Sequence, residues 1–308
     1  MIYAPKLKKN ARIGIIAPSY WMPEKDIFKI ADLFLQEGFE LIFGISTIAK
    51  DNVFAGTPGL RANDINNFFK DPDIDAIICL RGGYGANRIL DLIDYKLIRK
   101  NPKIFLGYSD ITAIHMSIYQ KTGLVTFHGP MPSSFKRDVD EFSFKHMINM
   151  LKGKTNKIPT TTKLDTRILK EGNGGGKLLG GNLTLLINRL GTNDQVNFDN
   201  SILFIEEVNE YLYAFDRQCF HLRKSGTIEK IKGLVVGELA GFKDEKVSFG
   251  KTTDEIIMEN FGDLNVPIVT NFPCGHGQYQ VTIPIGAKAK LNASSRKVSL
   301  ELAELPFT

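Results

Sequence analysis

The sequence predicts an α/β protein: an N-terminal doubly wound parallel-sheet domain over 1–152, a linker over 153–177 and a smaller β-rich C-terminal domain over 178–308. Three observations predict it. In the first half, short runs of Ile, Val and Phe alternate with amphipathic stretches of helical period, the pattern of repeated strand–helix units. Those runs are apolar almost without interruption, as strands covered on both faces must be. Beyond 152 the pattern gives way to a polar stretch and then to strands with few helices.

Taken in order, RIGIIAPS (12–19) reads as the first strand and EKDIFKIADLFLQEG (24–38) as the helix that follows it. FELIFGI (39–45) is a second strand and GLRANDINNFFKDP (59–72) a second helix. IDAIICL (74–80), KIFLGYS (103–109) and LVTFHG (124–129) complete the apolar strands, and a helix is expected near 139–152. The stretch from Lys152 to Lys177 is polar, with a Thr cluster and three consecutive glycines, and reads as the interdomain linker. A short helix, GNLTLLINRLG (181–191), precedes strands SILFIEEV (201–208) and IKGLVVGEL (231–239). The alternating segment 280–305 is expected to be an antiparallel hairpin. No internal repeat is visible.

Composition narrows the function classes. The 308 residues are 43% hydrophobic and 24% charged, as in a globular protein with a sizeable core. The net charge of +5 is spread along the chain; it suits acidic small substrates and does not form the basic stripe of a nucleic-acid binder. The three cysteines, Cys79, Cys219 and Cys274, are far apart and form no C-x-x-C, so neither a disulfide framework nor a zinc site is expected. IGIIAP is too short for a secretory core and reads as a strand. No apolar run reaches the ~18–20 residues of a membrane span. The expected location is cytoplasmic.

In open parallel sheets ligands sit beyond the C-terminal strand ends. Here those ends are Pro18-Ser19, Arg81 to Gly85, Gly107 to Asp110 and His128 to Pro130. In FLGYSDITAIH (105–115) an apolar run stops and a helical pattern begins at once, with Ser109 at the turn. Ser109 is either a nucleophile exposed by a sharp strand-to-helix turn or an N-cap, a role Asp110 would fill equally well. The spelling G-x-S-x-G is broken by Ile111. The loop LRGGYGANRIL (80–90) lacks the Gly-Lys-Ser/Thr ending of a P-loop and does not match G-x-G-x-x-G. It is either a tight turn or a source of backbone N–H groups for an oxyanion.

A serine nucleophile needs a base, and the base an orienting acid. Of the five histidines, His115 is expected to point away from the turn, and His146 and His221 fall on amphipathic helices. His128 ends a strand that could face the crevice. His276, between Gly275 and Gly277, is the favoured base. Glu206 and Glu207 end an apolar strand; such carboxylates are used, paired or solvated there. No cluster of His, Cys, Asp and Glu has metal-ligand spacing.

Together these segments resemble the LD-carboxypeptidase family, serine peptidases of the S66 type. The resemblance runs from IGIIAPS through FAGTPGLRANDINNFFKDPDIDAIICLRGGYGANRIL, FLGYSDITAIH, FHGPM, GGNLTLL and LFIEEVNEYLYAFDR to GHGQYQVTIPIGAKAKL, in the family's order. It implies that Ser109 is the nucleophile, His276 the base and Glu206 the acid, in a motif reading Ile-Glu-Glu here. It implies oxyanion donors in the backbone N–H groups of Gly83 and Asp110. It further implies a nucleophile domain followed by a β-rich domain supplying Glu and His, no cofactor, a homodimer, and a muramoyl-tetrapeptide substrate trimmed of D-alanine in cell-wall recycling. Arg81 and Arg217 are the candidates for the substrate carboxylate. The alternative within the family is a microcin-immunity type, cleaving peptide–nucleotide or acyl-sulfamoyl-adenylate conjugates; Trp21, after the first strand, could line the crevice for stacking. An esterase of another family and a non-catalytic binder of peptidoglycan fragments are the further alternatives.

Overall fold

The computed structural model describes residues 1–135, 140–294 and 297–308, without the side chains of 28–31. Position 139 of the expected helix and positions 295 and 296 of the expected hairpin lie outside the described residues. The chain forms two compact units: Met1–Thr155 with Thr282–Gly286 and Leu305–Thr308, and Asn156–Val281 with Ala287–Glu304.

The first long segment contains β1 (Arg12–Ile16), α1 (Glu24–Gln36), β2 (Glu40–Phe43), α2 (Pro58–Lys70), β3 (Ala76–Cys79), α3 (Tyr95–Lys100), β4 (Ile104–Gly107), α4 (Thr112–Thr122), β5 (Thr126–His128), α5 (Pro132–Phe135) and α6 (Glu141–Leu151). The second contains β6 (Lys157–Ile158), β7 (Arg167–Lys170), β8 (Gly172–Asn182), α7 (Leu183–Ile187), β9 (Ser201–Val208), α8 (Leu212–Lys224), β10 (Gly233–Ala240), α9 (Thr253–Phe261) and β11 (Ile268–Gly275). Last come β12 (Ile283–Ile285), β13 (Lys288–Ser294) and β14 (Lys297–Leu302).

The sheet of the first unit has the order β12-β5-β4-β3-β1-β2; its first five strands in the chain are parallel, and β12 joins the edge antiparallel to β5. Helices α2, α3 and α4 contact one another in a row, and α1 packs on α5. Strands β3 and β4 are buried at every position, which is why their sequences are apolar throughout rather than alternating. Helix α2 shows how locally these elements are specified. The Thr57 hydroxyl accepts from the Leu60 N–H, and Pro58 takes the first helical position, where a missing N–H is no loss. The helix stops just before Asp71-Pro72. From β1 the chain order runs one way to β2 and the other way to β3, β4 and β5. That reversal is a topological switch point, and the loops following β1 and β3 border it.

The second unit is built on an eight-stranded mixed sheet, β6-β14-β13-β8-β9-β10-β11-β7. Its central strands β8, β9, β10 and β11 are parallel, with Leu203, Phe204, Ile205, Val235, Val236 and Phe272 buried.

Three expectations are corrected here. Much of the segment expected as a linker over 153–177 is strand: it holds β6, β7 and the first half of β8. Glycines lack intrinsic strand preference, so the triplet Gly174, Gly175, Gly176 reads as a loop. It nevertheless pairs with Leu291, Lys290 and Ala289 of β13, and a Cβ on Gly174 would strike the Lys232 carbonyl. Close approach of two backbones selects glycine there. The segment 280–305 is not one hairpin. β13 and β14 pair antiparallel as expected, but β12 leaves them for the other unit's sheet, with Ile283 opposite His128. Pro284 cannot serve both sides of a ladder and sits on an edge strand. The helix expected over 181–191 is also shorter, because Gly180, Gly181 and Asn182 remain paired in β8.

Candidate active site

In the first unit, β4 ends at Gly107, and a single 3-10 turn, Ser109–Ile111, leads into α4. Ser109 has φ 64°, the left-handed region that side chains other than glycine seldom occupy, and it is half-buried. Such strain is characteristic of a nucleophile elbow, where the side chain must stand clear of both strand and helix. The loop after β3 approaches it closely. A Cβ on Gly82 would lie 2.9 Å from the Ser109 Cβ and 3.0 Å from its Oγ, so only a glycine leaves this space open. Sequence reasoning selected Gly83 from this loop; the neighbour against the serine is Gly82, while Gly83, at φ 124°, packs on the Tyr20 ring.

The capping alternative is not realised. Helix α4 starts from Ile111 with no side-chain cap, and the Asp110 carboxylate is engaged elsewhere. Its Oδ2 accepts from the Ser19 hydroxyl at 2.5 Å and the Ala86 N–H at 2.8 Å. Burial raises the Asp110 pKa, against the opposing pull of those two hydrogen bonds and of Arg61. Arg61 was not singled out from the sequence, although it lies in the quoted GLRAND motif. It is fully buried, with Nη1 donating to the carbonyls of Pro18 at 2.6 Å and Gly85 at 3.0 Å. Arg81 donates from Nη1 to the Trp21 carbonyl at 3.0 Å and stacks over Tyr20. The Trp21 indole N–H donates to the Asn52 carbonyl, and Lys50 lies over its ring.

The histidines of this unit have structural places. His128 is 1% exposed, packed edge-on to Tyr108, and so is not the crevice-facing side chain the strand end suggested. His146, expected on an amphipathic helix at the surface or the core edge, is buried, and its Nδ1 accepts from the Thr282 N–H, holding β12. His115 does not point away from the turn. Its Nδ1 lies 2.9 Å from the Thr126 hydroxyl and its Nε2 2.9 Å from the Gly107 carbonyl, directly behind the elbow. Since a carbonyl only accepts, Nε2 carries the proton and Nδ1 accepts from Thr126. Burial lowers its pKa to about 3.

That shift has a stability consequence. The folded pKa of His115 lies below the unfolded value of 6.5, so its contribution is complete above pH 6.5 and is lost as pH falls toward about 3. Between pH 7 and pH 4.5 the wild type should lose roughly 2–3 kcal/mol from this group. A His115→Gln variant lacks this titration, so its denaturant midpoint should fall less steeply over the same interval. Equal slopes for the two proteins would contradict the assignment.

In the second unit, Glu206 and Glu207 end β9, and strand alternation sends them to opposite faces. Glu206 is fully buried, and its Oε2 lies 2.7 Å from His276 Nδ1, just beyond β11. Gly275, the last residue of β11, lies against the Glu206 side chain. The Gln280 amide donates to the Gly277 carbonyl at 3.0 Å, closing the loop that carries His276. Glu207 is also buried. Its Oε1 accepts from Asn182 Nδ2 and the Val208 N–H, and its Oε2 from the Thr184 N–H, each at 2.9 Å. Burial, and then the Glu206 charge, raises its pKa. The pair does not reach solvent: one carboxylate holds the imidazole and the other holds the start of α7. Arg217 is exposed on α8, over the Tyr213 ring.

Among the described residues no group of three His, Cys, Asp or Glu side chains is placed to hold a metal ion, and no helix is long and apolar enough to cross a membrane. The three cysteines are buried and form no disulfide.

Comparison with known proteins finds two family models along the chain. The family model of the LD-carboxypeptidase N-terminal domain, peptidase S66, matches residues 13–129, and that of the LD-carboxypeptidase C-terminal domain matches residues 175–291. A Bacillus subtilis (strain 168) protein named probable murein peptide carboxypeptidase is 34% identical over 315 residues, spanning 97% of this chain and 94% of its own. The crystal structure of muramoyltetrapeptide carboxypeptidase from Oxalobacter formigenes is 30% identical with a TM-score of 0.84, covering 96% of this chain and 100% of that one. The microcin C7 self-immunity protein MccF, in complex with aspartyl sulfamoyl adenosine, is 25% identical with a TM-score of 0.91, covering 100% of both chains.

Proposed function

Because the chain belongs to the LD-carboxypeptidase family of S66 serine peptidases, we propose that it hydrolyses the bond between an L-centre residue, diaminopimelate or lysine, and a C-terminal D-alanine in muropeptides. The role is peptidoglycan recycling, on a tetrapeptide in the cytoplasm, by a homodimer. The observation that carries the reading is the Glu206–His276 pair, a buried carboxylate 2.7 Å from an imidazole nitrogen. An ionised carboxylate only accepts, so it fixes the proton on Nδ1 and leaves Nε2 as the basic nitrogen.

In this reading Nε2 of His276 takes the proton of Ser109 as Oγ attacks the peptide carbonyl. Glu206 stabilises the imidazolium that forms. The N–H groups of Gly83 and Asp110 receive the oxyanion, each donor being worth roughly 3–4 kcal/mol. His276 then gives its proton to the D-alanine nitrogen, the C–N bond breaks, and the acyl group remains on Ser109 until water, deprotonated by His276, releases it. Arg81 and Arg217 are the proposed partners of the substrate carboxylate. The chemistry runs on side chains and backbone alone.

The test is D-alanine release from L-Ala-γ-D-Glu-meso-diaminopimelyl-D-Ala and its lysine counterpart. Release by the wild type is expected; none from either peptide sinks the recycling role. The same assay reads the close approach at the elbow. Gly82→Ala puts a methyl where the Ser109 side chain stands, and kcat should fall about 10²-fold through misplacement of the nucleophile. Unchanged turnover would mean that the loop is not held against the serine.

The second reading, cleavage of aminoacyl-adenylate conjugates, is favoured by the likeness to MccF. The exposed Tyr84 supports it, since it lies in the loop after β3 beside Phe54 and offers a ring to a base. Hydrolysis of an aspartyl nucleotide conjugate without D-alanine release would establish it in place of the first.

A further inference from the structure

The loop carrying Gly83 is glycine-rich and is bonded by side chains from outside it. Gly83 and Gly85 have φ 124° and 126°, conformations that glycine reaches readily but that are only one choice among many for a glycine in an unrestrained chain. Two side chains restrain it. The Asp110 carboxylate takes two donors on a single oxygen, the Ser19 hydroxyl from the β1 end and the Ala86 N–H from the β3 end. Arg61 repeats the crossing with the same two loops, through the carbonyls of Pro18 and Gly85, and its Nε donates to the Gly56 carbonyl at 3.2 Å. Ser19 and Arg61 are fully buried and Asp110 is 2% exposed, so these bonds are shielded from water and rigid. The bracket therefore joins both loops of the switch point to the residue that directly follows Ser109.

We infer that the Asp110 side chain, with Ser19 and Arg61, is a positioning device that sets the 82–86 loop against Ser109 and so aims the oxyanion donors. The inference rests on the serine mechanism proposed above. It gives Asp110 two separate duties: its N–H faces the oxyanion, and its carboxylate orients the opposite donor through Ala86. Neither Ser19 nor Arg61 is a catalytic residue in this scheme; each acts through the loop.

The test measures two things on Ser19→Ala, Asp110→Ala, Asp110→Asn and Ser19→Ala/Asp110→Ala. One is kcat and KM for D-alanine release. The other is the rate at which diisopropyl fluorophosphate labels Ser109, followed by intact mass. For Asp110→Ala, kcat and the labelling rate should both fall about 10²-fold, with KM changed by less than about 3-fold, because a mis-aimed oxyanion donor acts on the transition state. Ser19→Ala should lose about 10-fold, and the double variant no more than Asp110→Ala, since both remove the same contact. Asparagine, whose carbonyl oxygen can take both donors, should recover about 10-fold relative to alanine. A purely structural role would show neither the kcat-selective loss nor this rescue. Wild-type kcat and labelling in Ser19→Ala and Asp110→Ala, or a loss confined to KM, would overturn the inference. If Asp110→Ala does not fold, Ser19→Ala and Asp110→Asn decide. A wild type that is labelled at Ser109 but releases no D-alanine defeats the peptide reading alone, and the labelling rates still decide the inference. A wild type unlabelled at Ser109 defeats both.

Discussion

Ser109→Ala is expected to reduce turnover by about 10⁵–10⁶-fold, the loss seen when a serine peptidase is deprived of its nucleophile. The argument is geometric as well as chemical. Ser109 sits at φ 64°, where any side chain with a Cβ is strained by about 1–2 kcal/mol. A fold retains such strain where the side chain is needed in that place. The same fact yields an opposite expectation for stability. Ser109→Gly should be equally inactive yet more stable, by about 1 kcal/mol, because glycine adopts this conformation freely. Thermal melting of the wild type and both variants, beside D-alanine release, checks the pair. An active Ser109→Ala protein would return Ser109 to a turn residue, and a destabilised Ser109→Gly would show that the serine side chain holds the turn.

Glu206→Gln and Glu207→Gln should fail in different ways, although the residues are adjacent, chemically identical and both buried. In Glu206→Gln the amide can no longer hold the imidazole in the tautomer with its proton on Nδ1, nor offset its positive charge. The kcat should fall about 10³–10⁴-fold with little change in KM. Glu207 has no bond to His276; it accepts from Asn182, Thr184 and Val208. A glutamine there keeps one acceptor oxygen and points an NH₂ group at a donor. That should cost about 1–3 kcal/mol of stability while changing kcat less than about 5-fold. Steady-state kinetics and denaturant unfolding on the two variants separate the roles. The reverse pattern would move the acid to Glu207.

Much of the candidate site's local geometry was legible in the sequence because its signals are local. An apolar run that breaks at Gly-Tyr-Ser-Asp and resumes with helical period announces a turn at a strand end, and the chain turns there. A histidine between two glycines stands out from four others that lie in strands or helices. The apolar strands of the first half mark a parallel sheet because burial on both faces leaves no room for alternation.

The roles that were not legible depend on partners far away in the chain. Arg61 looks like any solvated helix residue until the fold places the carbonyls of Pro18 and Gly85 around its guanidinium. Asp110 looks like a cap, yet its carboxylate finds Ser19, which no local pattern connects to it. The glycine triplet of β8 looks like a linker because its reason, the Lys232 carbonyl against Gly174, lies in another loop.

The sequence by itself therefore determined the strand–helix alternation of the first half and which residue kinds stand at its strand ends, because periodicity, turn chemistry and burial act within a few residues. Only the tertiary structure decided which of two adjacent glutamates meets the histidine, which glycine faces the serine, and which sheet receives Ile283–Ile285. Those choices follow from strand register and from the approach of distant backbones, and a shift of one residue in register reverses the face that every side chain presents.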